Sequence, residues 1–366
     1  MEISHDGKYL AYKANIAGMS QLYVYDITSK NNMDIPKHKL GVIGKIKFHP
    51  KRSELAFSLS GSNAPSNVFS FKIGDFELIQ WTESETGGLN SDQFVVPRLL
   101  HYPTFDKVDG KVRKIPLYYY QPPMGWGPFP VVVMIHGGPE GQSRPYFNSF
   151  IQYLTRELNI AVVTPNVRGS AGYGKSYLKL DNGFKREDSV KDIGALLDWM
   201  DGYSAIDSKQ VVVYGGSYGG YMTLAAMTHY SDRLLGGVDI VGISNFVTFL
   251  ENTKGYRRDL RRAEYGDERD EKMRQFLETI SPANHADKIT KPLFIIQGLN
   301  DPRVPASEAE QILRELKENE GNPWYLLAKN EGHGFRKKEN RDYMYESIVM
   351  FLRDLIPDQK VRRRDD

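Results

Sequence analysis

Along the first ninety residues, short apolar runs rich in β-formers alternate with polar turns. Residues 9–12 and 22–25 form one pair of such runs, and residues 55–57 and 68–71 a second. Runs of this kind, bounded by turn residues, predict strands. The turn His5-Asp6-Gly7-Lys8 precedes the first pair as His49-Pro50-Lys51-Arg52 precedes the second. Ala11 and Ala56 lie 45 residues apart, and Leu22 and Val68 lie 46 apart. A period near 45 with several short strands per repeat is the spacing of β-propeller blades. A closed propeller takes about four to eight blades, and two must leave strand edges exposed. Four readings stay open: a piece of a longer protein, a short form whose blades rest on the next domain, a homo-oligomer that pairs its exposed strand edges, and an unrelated small β-domain.

After Pro97 the period changes. Residues 98–102 and 115–120 read as an opening pair of strands, and residues 121–130, with four prolines, as a loop. Strands at 131–135, 160–164, 211–214, 238–241, 293–296 and 325–327 then alternate with helices at 151–158, 189–200, 221–227, 309–316 and 344–355. Strands apolar at every position are buried on both faces, which predicts a mostly parallel sheet flanked by helices, an α/β fold. Residues 244–288 break the rhythm with a charged, helix-prone insertion, whose arginines (Arg257, Arg258, Arg261, Arg262) read as a solvated face. The domains expected are 1–95, the partial propeller-like region; 96–357, the α/β region; and 358–366, a tail.

Composition narrows the chemistry. Forty-eight basic against 46 acidic residues leave a charge of +2, so global charge gives no pull toward nucleic acid or membrane. The chain has no cysteine, which excludes thiol catalysis and thiolate metal sites. Its eight histidines are scattered without metal-ligand spacing, and neither metal nor cofactor is expected. No run approaches the ~20 apolar residues of a membrane span. Met1 to Asp6 lack the basic and apolar regions of a signal peptide, so a cytoplasmic location is expected; for a piece of a longer protein those residues carry no such information.

Gly215-Gly216-Ser217-Tyr218-Gly219 fits Gly-x-Ser-x-Gly, with a strand before it and a helix after it. That context makes it a nucleophile elbow, a strained turn that lifts the serine hydroxyl above the sheet. A serine hydroxyl needs a general base, and in this fold class the order is serine, acid, histidine. Three histidines follow Ser217: His229 in the next helix, His285 in a polar stretch, and His333 in a loop after a late strand. Only His333 has the placement of a base. Asp301, in the loop after residues 293–297, has the placement of the acid; Asp239, inside a strand, is its rival, and Asp287 lacks the placement. His136-Gly137-Gly138-Pro139 follows strand 131–135, so N–H groups of Gly137 and Gly138, with that of Tyr218, are the expected oxyanion hole. His136 precedes the serine and reads as a hydrogen-bonding residue of that loop. Gly169 to Ser176 match the P-loop pattern literally, but Asp181-Asn182-Gly183 soon stop the chain, and nucleotide binding is rejected.

From about Pro97 to Leu355 the chain resembles the catalytic domain of the prolyl oligopeptidase family of serine peptidases. The resemblance rests on residues 215–222, on Asn166-Val167-Arg168-Gly169-Ser170, on Asp301-Pro302-Arg303-Val304-Pro305 and on Gly332-His333-Gly334-Phe335. It implies an α/β-hydrolase fold under a propeller. His136-Gly137-Gly138-Pro139 looks most like the acylaminoacyl-peptidase branch, where a hole built on backbone N–H groups is implied. The resemblance further implies that Arg303 holds a substrate carbonyl and that Val304 lines the pocket beside the scissile bond. The expected activity is therefore that of a serine peptidase of the acylaminoacyl-peptidase or oligopeptidase kind, on short peptides or acyl esters. A carboxylesterase with the same machinery and a non-catalytic interaction module are the alternatives.

Overall fold

The structure is a computed structural model that describes residues 1–356. The expected tail at 358–366 lies outside the described residues. Two compact units emerge: Met1–Arg98 with Arg144–Arg156, and Leu99–Ser143 with the chain from Glu157 onward.

The first unit contains two four-stranded antiparallel meanders. One runs β1 (Glu2–Ile3), β2 (Tyr9–Ile16), β3 (Met19–Asp26), β4 (Asn31–Met33); the other runs β5 (Val42–Phe48), β6 (Glu54–Ser60), β7 (Asn67–Lys72), β8 (Ile79–Gln80). Their inward residues, among them Ala11, Val24, Ile43, Leu55 and Phe71, share one core. The repeat seen in the sequence recurs as sheets, but its register is corrected. Ala11 is fully buried opposite Val24, whereas its counterpart is Leu55, buried opposite Phe71; Ala56 faces the other way, and Val68 is 38% exposed. Side chains alternate with period 2, so a slip of one residue changes faces.

Helix α1 (Ser149–Arg156) completes this unit, although the sequence places it between strands of the α/β region. Gln152, buried, accepts from the Val95 N–H at 2.7 Å, and its amide donates to the carbonyls of Val95 (3.0 Å) and Ser62 (3.1 Å). Arg144 donates to Gly18 O (2.7 Å) and Ser20 Oγ (3.0 Å), and the Phe147 N–H donates to Ser60 Oγ. Its local pattern makes the segment a helix; these partners decide which core it joins.

The second unit is built on eight strands: β9 (Arg98–Val108), β10 (Lys111–Tyr120), β11 (Phe129–Ile135), β12 (Ala161–Pro165), β13 (Ile206–Gly216), β14 (Gly236–Ile240), β15 (Leu293–Gly298) and β16 (Trp324–Ala328). Their spatial order is β16-β15-β14-β13-β11-β12-β10-β9. From β12 to β16 neighbouring strands run parallel, and β10 pairs antiparallel with β12. This is the α/β-hydrolase arrangement. Between strands come α2 (Lys175–Leu178), α3 (Asp188–Asp201), α4 (Tyr218–His229), α5 (Phe246–Asn252), α6 (Gly255–Tyr265), α7 (Glu271–Thr279), α8 (Ala306–Glu318) and, last, α9 (Lys338–Leu355).

The uniformly apolar strands are sandwiched as their sequences require. In β15, Ile295 joins the core that also holds Ile312 of α8, while the Phe294 ring packs, tilted, 5.6 Å from that of Phe351 of α9 on the opposite face. The insertion forms α5, α6 and α7, and Arg261 and Arg262 of its arginine cluster are not on a solvated face. Arg261 is 8% exposed, and Arg262 makes a bidentate pair with the buried Glu268. Guanidinium groups so far from water need carboxylate partners, which the insertion and a neighbouring loop supply. No helix of the described residues is long and apolar enough to cross a membrane.

Candidate active site

Parallel strands bring their carboxyl ends to one edge of the sheet, where open α/β folds bind ligands. Ser217 leaves β13 at this edge with φ 59° and ψ −119°, a conformation that costs a non-glycine residue energy. Its N–H donates to Ile240 O at 2.9 Å, which ties the turn to the end of β14. The surrounding glycines leave no room for a side chain: a Cβ at Gly215 would fall 2.0 Å from Gly219 O, and one at Gly219 would fall 2.2 Å from Ile135 O. Ser217 is half-buried. The strain and the close approaches are those of a nucleophile elbow.

Asp301 follows β15 and His333 follows β16, at the same edge. His333 Nδ1 lies 2.7 Å from Asp301 Oδ2. Asp301 Oδ1 accepts from the N–H groups of Arg303 (2.7 Å) and Val304 (3.1 Å). The carboxylate is therefore fixed at both oxygens, and an imidazole that donates from Nδ1 keeps Nε2 free to accept a proton. The two loops are tied to each other as well. Asn300 N–H donates to Glu331 O, and Gly298 approaches Gly332 so closely that a Cβ would lie 2.2 Å from its carbonyl oxygen. Buried Glu331 pins the histidine loop from below by accepting from the N–H groups of Arg336 and Lys337 and from Asn340.

The His136-Gly137-Gly138 loop follows β11 and lies against the elbow. A Cβ at Gly137 would sit 2.9 Å from Gly216 O and 3.4 Å from Ser217 Cβ. His136 holds this loop from within, with Nδ1 at 2.9 Å from Gly137 O and Nε2 at 2.7 Å from Ser170 Oγ. Desolvation lowers its pKa, which keeps the ring neutral. On the other side, Tyr218 opens α4, and the first N–H groups of a helix have no partner within it. The Tyr218 phenol turns into the interior, 2.8 Å from Ser189 Oγ and 3.2 Å from Arg186 Nη1.

Other expected residues fall elsewhere. Arg303 is exposed beside Asp301, while Val304 is 2% exposed and belongs to the core, so it offers a substrate almost no surface. The rival Asp239 is buried within β14, between Gly220 and Gly242. Burial pushes its carboxyl up to about 7 against the opposing N–H of Gly242. His229 pairs with Glu187, His285 reaches Thr279 O, and Asp287 is exposed. The P-loop-like segment ends in a helix of only four residues, and a Cβ at Gly169 would strike the Asp181 carboxylate.

A buried charged layer behind the loop was not anticipated. Arg186 donates to Asp181 (2.6 Å) and to Glu264 O (2.9 Å) and lies over the rings of Tyr218 and Tyr265. Arg261 donates to Gly138 O at 2.8 Å and pairs with Glu140 and Glu264. Burial, reinforced by the Glu140 charge, pushes the Glu264 carboxyl up to about 8.

The profile of the Prolyl oligopeptidase family matches residues 145–359, more than half of the chain. The chain belongs to the prolyl oligopeptidase family. Family membership makes it a relative of serine hydrolases, and the fold agrees. Dipeptidyl peptidase family member 6 of Caenorhabditis elegans is 36% identical over 63% of this chain and 31% of its own length. A puromycin-hydrolyzing peptidase of Mycobacterium tuberculosis superposes with a TM-score of 0.86 at 24% identity, over 98% of this chain and 53% of its own. The acylaminoacyl peptidase of Pyrococcus horikoshii superposes with a TM-score of 0.81 at 21% identity, over 96% and 55%. The chain thus spans about a third of the curated relative and about half of the solved structures. Within the family, these relatives favour no single branch, the acylaminoacyl-peptidase branch included.

Proposed function

We propose that the chain hydrolyses acyl bonds through an acyl-enzyme at Ser217, as a peptidase of the acylaminoacyl or oligopeptidase kind that also cleaves esters. Ser217 Oγ attacks the scissile carbonyl and passes its proton to His333 Nε2. His333 gives that proton to the departing amine or alcohol, then repeats the cycle with water to release the acid and restore Ser217. Asp301 keeps the imidazole in the required tautomer and stabilises the imidazolium. The N–H of Tyr218, with those of Gly137 and Gly138, receives the oxyanion, and Arg303 is the candidate for a substrate carbonyl. The observation that carries this reading is the pairing of His333 with an Asp301 fixed at both oxygens, at the sheet edge where a strained serine leaves β13.

The test compares kcat/KM on an N-acetyl-alanyl p-nitroanilide and on a short-chain p-nitrophenyl ester, with Ser217→Ala as blank. Ser217-dependent release from both substrates is expected. Release from the ester alone makes the protein a carboxylesterase. No release from either, and no labelling of Ser217 by a fluorophosphonate in the folded protein, leaves the non-catalytic module.

A further inference from the structure

The Gly138–Pro139 peptide has no N–H, since its nitrogen belongs to proline. Its carbonyl is therefore the only polar handle by which the protein can orient that peptide. Arg261 donates to this carbonyl at 2.8 Å from the last turn of α6. In the preceding peptide Gly137 O lies 2.9 Å from His136 Nδ1, and the N–H of Gly138 is on the opposite side of that planar unit.

The second arm of the expected oxyanion hole depends on the same turn of α6. Arg186 donates to the backbone carbonyl of Glu264 at 2.9 Å and to the Tyr218 phenol at 3.2 Å, and the Tyr218 ring stacks on that of Tyr265. Residues 261–265 thus touch both donors' segments, one through Arg261 and Gly138, the other through Arg186 and Tyr218. Carboxyl groups on each side hold the two guanidinium groups: Glu140 and Glu264 for Arg261, Asp181 for Arg186. Arg186 divides its contacts between both terminal nitrogens of its planar fork, whereas Arg261 meets Gly138 O, Glu140 and Glu264 through Nη1.

We propose that Arg261 is a positioning residue of the oxyanion hole, and that the last turn of α6 serves as a common brace for its two arms. The inference rests on the hydrolase reading given above. Without the clamp, Gly138 O loses its partner while Gly141 O, held by the Ala171 N–H, stays fixed, and the N–H groups between them no longer meet the developing oxyanion in a fixed geometry. Substrate held elsewhere is bound as before. The loss falls on kcat and leaves KM nearly unchanged, the signature of an interaction made in the transition state.

The experiment measures amide hydrogen exchange of residues 136–141 in the folded wild type, Arg261→Ala and Arg261→Lys, alongside kcat and KM on the ester. In Arg261→Ala, exchange in this loop is expected to rise about tenfold and kcat to fall about tenfold, less than the ~10²–10³ lost with a donor itself. KM should stay within twofold, and added guanidinium or ethylguanidinium should restore part of kcat. Arg261→Lys, which keeps the charge between Glu140 and Glu264, carries the test if the alanine variant does not fold, with smaller shifts in the same direction. Exchange of 136–141 equal to wild type in either folded variant overturns the proposal, as does unchanged kcat. Should the wild type show no Ser217-dependent turnover, the hydrolase reading fails by itself, and the exchange measurement still decides whether Arg261 clamps the loop.

Discussion

His333 Nδ1 stands 2.7 Å from Asp301 Oδ2, while the N–H groups of Arg303 and Val304 occupy the other oxygen of that carboxylate. Asp301→Asn would keep the shape and offer an amide in place of one acceptor, which favours the wrong imidazole tautomer. We expect kcat on the ester to fall about 10⁴-fold with the thermal midpoint little changed. A variant that turns over at near wild-type rate would remove Asp301 from the triad.

Gly137 leaves no space for a methyl group. Its Cβ would press on the main-chain oxygen of Gly216 at 2.9 Å, where nothing flexible can yield. In Gly137→Ala the loop must move away from Ser217, and a drop in kcat of about 10² or more is expected, comparable to the loss of an oxyanion donor. Active-site titration would show whether Ser217 still reacts. Wild-type acylation would mean that the loop takes no part.

Asp239 links stability to pH. Its ordinary carboxyl value is 3.8, and burial raises it to about 7 in the fold. Between these values the folded protein keeps a proton that the unfolded chain has released. Stability therefore falls as pH rises through this window and is fully present below it. Asp239→Asn removes the slope while keeping an acceptor for Gly242 N–H. Its thermal midpoint should exceed that of the wild type at pH 8, with the gap closing toward pH 4. A gap that does not vary with pH would show that Asp239 ionises at its ordinary value.

The first unit has its own test. Gln152→Ala leaves the N–H and carbonyl of Val95 and the carbonyl of Ser62 without their partner in a buried place. Each buried group left unpaired costs about 1–3 kcal/mol. Urea denaturation should show a loss of several kcal/mol for the transition that reports on the β-unit. A change below about 1 kcal/mol would mean that water replaces the side chain without penalty.

Much of this was legible in the chain, and the gaps have physical causes. β11 and β15 announce themselves because strands covered on both faces are apolar throughout, and the elbow is legible because its glycines sit between a strand and a helix. Ser217, Asp301 and His333 could be put forward together because each follows a strand pattern. The register of the second blade was misread because period 2 makes Leu55 and Ala56 equally good partners for a spacing argument, and only cross-strand pairing decides between them. Arg261 and Arg262 read as solvent-facing because a charged helix looks the same in sequence whether its charges meet water or a buried loop. The burial of Val304 was hidden by its neighbours, Arg303 being exposed.

The loyalty of α1 has a consequence for biosynthesis. The β-unit is unfinished when residue 98 leaves the ribosome, because Val95, Ser60, Ser62, Gly18 and Ser20 await partners that lie between Arg144 and Gln152. By then β9, β10 and β11 have already been synthesised, including long apolar runs that cannot yet find β12 or β13. The nascent chain must hold two incomplete cores at once, with sheet-forming segments exposed in the interval. Such species are prone to aggregate, so the yield of folded protein should depend on chaperones and temperature more steeply than for two domains strung end to end.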